Sequence, residues 1–249
     1  MKEDGLLATS TIKKTGNLTL AAAAFLLAAF LPARGFCGWQ NVLASFSTSV
    51  EDQDDAVRTN IHLSCRKING HVLAPGAVFS FNEIVGEGSA RNGFVNGRVL
   101  YLDEVRYEPG GGLCQVSSTL FNAFLLAGCA IVERKRHYQP VSYVPLGLDA
   151  AIKYGKKDLK MKNTLGRPLL IEMVMNAKSL MVTVRAENPP SWRYEIYTEE
   201  EELEIPLAGP GGDIRNAIDV YVYRKKFSGE KLLESFLLYK DHYPPVYRK

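Results

Sequence analysis

The stretch Glu108-Pro109-Gly110-Gly111-Gly112-Leu113-Cys114-Gln115-Val116-Ser117-Ser118-Thr119-Leu120-Phe121-Asn122-Ala123-Phe124-Leu125-Leu126-Ala127-Gly128 decides how the rest of the chain is read. Proline and three glycines mark a loop, and regular structure resumes only after them. Beyond that loop Leu113, Val116, Leu120, Phe124 and Ala127 recur at the spacing of one helical face, and Gly128 is a natural C-terminal stop. The segment therefore places Cys114 in the first turn of a helix. Unpaired N–H groups and the positive end of the helix dipole favour a thiolate there, and the thiolate is the form of cysteine that attacks. The same N–H groups can hold a developing oxyanion, so the backbone N–H of Cys114 or Gln115 is the expected donor. Gly111 and Gly112, lacking side chains, would let substrate and backbone approach closely.

A cysteine nucleophile needs a base and a group that orients the base. Downstream, Ile131 to Val144 reads as a strand that carries His137, and Leu148 to Tyr154 as a strand that opens with Asp149. Cysteine on a helix, then histidine and aspartate on successive strands, is the layout of papain-like and transglutaminase-like enzymes. Asp158 is the alternative third member and a candidate for substrate contact. Upstream, Gly86, Gly88, Gly93 and Gly97 punctuate a long loop, in which Arg91, Asn92 and Asn96 are further candidates for substrate contact. Val99 to Tyr107 reads as extended.

Further out, Ser49 to Ile68 reads as a helix capped by Ser49, with acids in its first turns and Val57, Ile61, Cys65 and Ile68 inward. Pro75-Gly76 turns into a strand, Ala77 to Phe81. A hairpin, Pro168 to Met175 and Leu180 to Arg185, closes this part of the chain, and Asn188-Pro189-Pro190 marks a boundary. Beyond it, Ala217 to Lys226 and Lys231 to Tyr239 read as strands of a small β appendage. The expected class is α+β, with helices packed on a mostly antiparallel sheet. The expected divisions are a leader at 1–40, a main domain at 45–186 and the appendage at 190–249.

The chain has 249 residues, of which 46% are hydrophobic and 23% charged, enough for a packed core. A net charge of +3, with basic residues scattered or in short runs, excludes a dedicated nucleic-acid binder. Lys13 and Lys14, followed by an apolar run from Leu18 to Leu31, read as an export signal or, if uncleaved, a membrane anchor. Either places the remainder outside the membrane. Four cysteines (Cys37, Cys65, Cys114, Cys129) form neither a disulfide framework nor a zinc-site spacing, and no metal or cofactor is expected. Cys65 and Cys129 read as buried packing residues.

Several motifs, in order, resemble the VanW family. They are Pro75-Gly76-Ala77-Val78-Phe79-Ser80-Phe81-Asn82, the Gly110 to Leu120 segment, Arg134 with His137, Tyr143-Val144-Pro145, Gly147 with Asp149-Ala150, and Asp158-Leu159 with Asn163. Ser118 stands where many members carry threonine. The resemblance implies an exported or membrane-anchored protein of the cell envelope, with peptidoglycan or its precursors as partner. It also implies L,D-transpeptidation of stem peptides with Cys114 as nucleophile. A peptidoglycan amidase or carboxypeptidase, and a non-catalytic envelope-binding protein, are the competing expectations.

Overall fold

The computed structural model describes residues 10–13, 39–101, 104–203 and 214–247. The apolar run read as a leader lies outside the described residues, as does Cys37. Among the described residues no helix is long and apolar enough to cross a membrane.

In chain order the elements begin with β1 (Ser10–Lys13), β2 (Asn41–Ser49), α1 (Asp55–Ile68), β3 (His71–Leu73), β4 (Val78–Ser80) and α2 (Phe81–Val85). A 3-10 turn (Ala90–Asn92) precedes β5 (Asn96–Tyr101), β6 (Glu104–Pro109), α3 (Leu113–Ala127), β7 (Ala130–Glu133) and β8 (Lys160–Lys162). Then follow β9 (Leu169–Met175), β10 (Ser179–Ala186), β11 (Arg193–Leu203), β12 (Ile214–Arg215), β13 (Ala217–Ser228), β14 (Lys231–Tyr243) and β15 (Val246–Tyr247). Among the described residues all pairings are antiparallel, in the orders β2-β10-β9-β3, β4-β8-β7, β5-β6, β1-β11-β13-β14 and β12-β15. The class is thus α+β with mostly antiparallel sheets and few helices.

Helix α3 is the pivot. It packs on β2 and β10, on α1 and on β11 of the C-terminal sheet. Enclosed by these elements, it buries nearly every side chain, which is why its sequence is apolar beyond a single stripe. Its polar residues are satisfied internally. The amide of Gln115 donates to Thr48 Oγ1 at 3.1 Å and to the Ser49 carbonyl at 2.6 Å, while Thr119 and Thr48 share a bond of 2.9 Å. These bonds fasten α3 to the end of β2.

The same bonds explain where the first helix begins. Ser49, read as its cap, is the last residue of β2, paired with Ser179. The cap is Asp54, whose Oδ1 accepts from the Val57 N–H at 2.8 Å. Strand β2 itself has no reading in the sequence. The strand read as Ala77–Phe81 is shorter, because Ser80 caps α2, its Oγ accepting from the Glu83 N–H at 3.2 Å. Val99–Tyr107 is two strands of one hairpin, β5 and β6.

The strands expected at Ile131–Val144 and Leu148–Tyr154 are absent as read. Strand β7 ends at Glu133, and the chain from 134 to 159 is a long connection with a single bridge, Lys153 to Lys157. The α+β class therefore holds, while the helix–strand–strand carriage of the papain and transglutaminase layout does not: His137 and Asp149 sit on a loop. The backbone of that loop is held by side chains instead of a ladder. Arg134 Nε donates to the Asp149 carbonyl at 2.7 Å and Asn122 Nδ2 to the Leu148 carbonyl at 2.7 Å.

Candidate active site

The glycine loop before α3 is packed against the protein's own backbone. A Cβ on Gly111 would lie 2.5 Å from Gly97 C and 2.6 Å from Gly97 O. One on Gly112 would lie 2.9 Å from Val57 Cγ1, and Gly112 has a φ of +101°, which glycine alone adopts readily. Asn60, buried in α1, locks this crossing by donating to the carbonyls of Val95 (2.9 Å) and Gly111 (3.0 Å). The space over Gly111 and Gly112 is thus filled by β5 and α1. Gly112 is the helix N-cap and supplies no side-chain cap. The Gln115 N–H is taken by the Gly112 carbonyl at 3.0 Å. Of the two backbone donors expected from sequence, Cys114 N–H is the one with no backbone acceptor among the described residues.

One turn after another, Cys114, Ser118 and Asn122 form a polar line on α3. This line faces the loop from Leu148 to Ile152. Ser118 Oγ accepts from the Ala150 N–H at 2.9 Å, Ser117 Oγ donates to the Ala150 carbonyl at 2.6 Å, and Asn122 holds Leu148 as described. Asp149 is clamped between those anchors. Cys114 Sγ reaches the Ile152 carbonyl at 3.7 Å.

Asp149 is 2% exposed and turns one carboxylate oxygen, Oδ2, to His137. That oxygen accepts from the His137 backbone N–H and lies against its ring Nδ1, both at 2.6 Å. The same imidazole is hydrogen-bonded to the Cys114 thiol. Burial disfavours the imidazolium, but the bonds to Asp149 and Cys114 outweigh it and raise His137 from 6.5 to about 9. Burial likewise opposes ionisation of Cys114, yet the His137 hydrogen bond and charge prevail and hold the thiol below its ordinary range. Burial would raise Asp149 also; the His137 bond and the Arg134 charge keep it lowered. The three side chains therefore favour a thiolate, an imidazolium and a carboxylate in sequence. Tyr143 shares this neighbourhood, its phenol pushed well up by burial and then by the charge of Cys114.

A family model described as VanW like protein matches residues 57–185, just over half of the chain. The chain belongs to the VanW-like family. It is 37% identical over 142 residues to a Bacillus subtilis protein named Uncharacterized protein YoaR, covering 57% of this chain and 47% of that one. It is 29% identical over 142 residues to the Vancomycin B-type resistance protein VanW of Enterococcus faecalis, covering 55% of this chain and 52% of that one. The chain thus spans about half the length of these curated relatives. No solved structure matches it significantly.

The VanW-like stretch contains Cys114, His137 and Asp149, and the fold brings these together. It does not bring Asp158 to His137. Asp158 accepts from Ser80 Oγ at 2.6 Å and from the Asn82 N–H at 2.9 Å, fixing the start of α2. The side chain of Gln115 is committed to Thr48, Ser49 and Gln53. Arg91 and Asn92 lie in the exposed 3-10 turn, where Asn92 donates to the Glu87 carbonyl at 2.8 Å; Asn96 opens β5 opposite Pro109. No group of three metal-ligating side chains occurs among the described residues. Cys65 and Cys129 are buried, and burial pushes each thiol up to about 12.

Ser118 and Asn122 align the Asp149 loop, a role that the apolar stripe of α3 does not report. The available signal was the polar line at Cys114, Ser118 and Asn122 on a helix otherwise too apolar for solvent.

Proposed function

We propose that this VanW-like protein is a cell-envelope cysteine acyl-transferase that acts on peptidoglycan stem peptides in the manner of an L,D-transpeptidase. The observation that carries the reading is the placement of His137 between the Cys114 thiol and a buried carboxylate 2.6 Å from its ring nitrogen. A thiol bonded to an imidazole that a buried carboxylate orients is the arrangement that activates a sulfur nucleophile. The relative that bears the name of a vancomycin B-type resistance protein supports the envelope as the setting.

In the forward step the Cys114 thiolate attacks the carbonyl carbon of an L-centre that precedes a terminal D-residue. The C–S bond forms, charge gathers on the carbonyl oxygen near the Cys114 N–H, and the C–N bond breaks as the His137 imidazolium gives its proton to the leaving amine. An amine of a second stem then attacks the thioester. His137 takes a proton from it, the new amide forms, and the thiolate leaves. Water in place of the amine turns the same steps into carboxypeptidase chemistry. Asp149 holds the ring in the tautomer that presents its other nitrogen to sulfur.

Incubation with defined muropeptides, with product mass analysis, tests this reading. Wild-type protein is expected to release the terminal D-residue and form cross-linked dimers, and Cys114→Ala to do neither. Release without dimers would assign hydrolysis. Dimer formation by Cys114→Ala would refute the mechanism.

A further inference from the structure

Asp149 has a second carboxylate oxygen, and what holds it comes from the far end of the chain. Oδ1 accepts from Tyr243 Oη at 3.1 Å and from Arg134 Nη2 at 3.0 Å. Tyr243 Oη itself accepts from the Gly147 N–H at 3.0 Å, so its single proton is committed to Asp149. Arg134 is shared between two carboxylates. Its Nη1 donates to both oxygens of Asp241, at 2.8 and 2.6 Å, while Nη2 also donates to the Gly147 carbonyl at 3.0 Å. The guanidinium is flanked by the rings of Phe121 (5.4 Å) and Tyr239 (4.9 Å) and cannot turn away. Asp241 and Tyr243 both lie on β14, beyond the residues matched by the family model.

We propose that β14 completes the active site, with Tyr243 and the Arg134–Asp241 pair as positioning residues that fix Asp149 and set how much of its charge reaches His137. The proposal rests on the reading of Cys114 and His137 as the reacting pair. Two opposed effects follow from the bonding. Asp241 draws part of the Arg134 charge away from Asp149. Asp241→Asn leaves that charge to Asp149 alone and removes a nearby anion, so the imidazolium is less supported. Tyr243→Phe removes a neutral donor from Oδ1, so more carboxylate charge is available to the ring. The other charged and titratable groups around Cys114, His137 and Asp149 are unchanged in both variants. These are Cys114 on α3, Tyr143 and Arg134 in the loop, and Arg136, which donates to the His137 carbonyl at 2.5 Å and stacks on the Tyr243 ring at 4.7 Å.

The test is an NMR titration of the His137 imidazole in the full chain, its signal assigned by its loss in His137→Ala. Wild type is expected to titrate near 9. Asp241→Asn should lower that value and Tyr243→Phe should raise it, each by about half a unit or more. Arg224→Lys serves as the control. Arg224 ties the same sheet to the Cys129 carbonyl at 2.9 Å without touching Asp149, so its variant should titrate as wild type does. Opposite shifts in the two β14 variants support a positioning role, because simple loosening of the sheet would move both the same way. Unmoved values in both, or a common shift shared with Arg224→Lys, would overturn it. A wild-type His137 titrating near 6.5 would instead overturn the reacting pair on which the proposal rests.

Discussion

Replacing Asp149 by asparagine in a Cys114→Ser background should destabilise the protein more at pH 6 than at pH 10. Asp149 is nearly inaccessible and its Oδ2 lies 2.6 Å from His137 Nδ1. The rise of His137 from 6.5 to about 9 corresponds to roughly 3 kcal/mol of preference for the imidazolium in the folded state. The His137 side chain is 22% exposed, so solvent screens little of it. Cys114 supplies part of the rise and is removed by the serine, which leaves on the order of 2 kcal/mol for Asp149. The folded value lies above the unfolded one. Stability from this source is therefore fully present below 6.5 and is lost as pH rises through the folded value, which without Cys114 lies between 6.5 and about 9. The Asp149 carboxylate is lowered, so its own contribution is present above the ordinary aspartate range and is equal at both pH values. Urea unfolding of the Cys114→Ser protein with and without Asp149→Asn, at pH 6 and pH 10, gives the four free energies needed. The penalty of the asparagine should be larger at pH 6 by about 2 kcal/mol. The same penalty at both pH values would refute the charged imidazole.

Three further outcomes are expected. A brief iodoacetamide pulse at pH 7, read by peptide mapping, should label Cys114 well before Cys65 and Cys129, whose thiols are buried and held up near 12; equal labelling would remove the case for an activated sulfur. Gly111→Ala should cost about 3 kcal/mol, seen as a lower Tm, because its methyl group meets the Gly97 and Arg98 carbonyls at 2.6 and 2.8 Å; an unchanged Tm would mean that β5 yields freely. Asp158→Ala should lower stability by about 1–3 kcal/mol through loss of its bonds to Ser80 and Asn82, yet leave the pH dependence of Cys114 alkylation as in wild type. A shifted alkylation profile in that variant would return Asp158 to the reacting group.

Much of α3 was legible because its determinants are local. Glycines before Cys114, an apolar stripe after it and Gly128 at its end need no distant partner to be read. The hairpin β9–β10 and the strands β13 and β14 were legible for the same reason, their apolar and β-branched runs being separated by short polar turns. The reading failed at 131–154. Ile131, Val132, Val141, Val144 and Ile152 suggest strands by composition, but only Ala130–Glu133 finds a ladder, on β8. The rest is organised by Arg134, Ser117, Ser118 and Asn122, whose side chains bond its backbone, and no period in the sequence reports such bonds. The first helix is shorter than its pattern suggests for a similar reason. Ser49 has the chemistry of a cap, but its carbonyl is taken by Gln115 and its backbone pairs with Ser179.

The sequence by itself determined that a cysteine opens a buried helix behind three glycines, and it offered a histidine and two aspartates as its company. Only the tertiary structure decided between Asp149 and Asp158, because both are acids within the same stretch and differ in what donates to them. Asp149 faces His137, whereas Asp158 is consumed by Ser80 and Asn82. Only the tertiary structure, too, carried Asp241 and Tyr243 across more than ninety residues to the back of Asp149. Local pattern encodes helices and turns through neighbours in sequence. The balance of charge around a buried carboxylate depends on neighbours in space, which folding alone brings together.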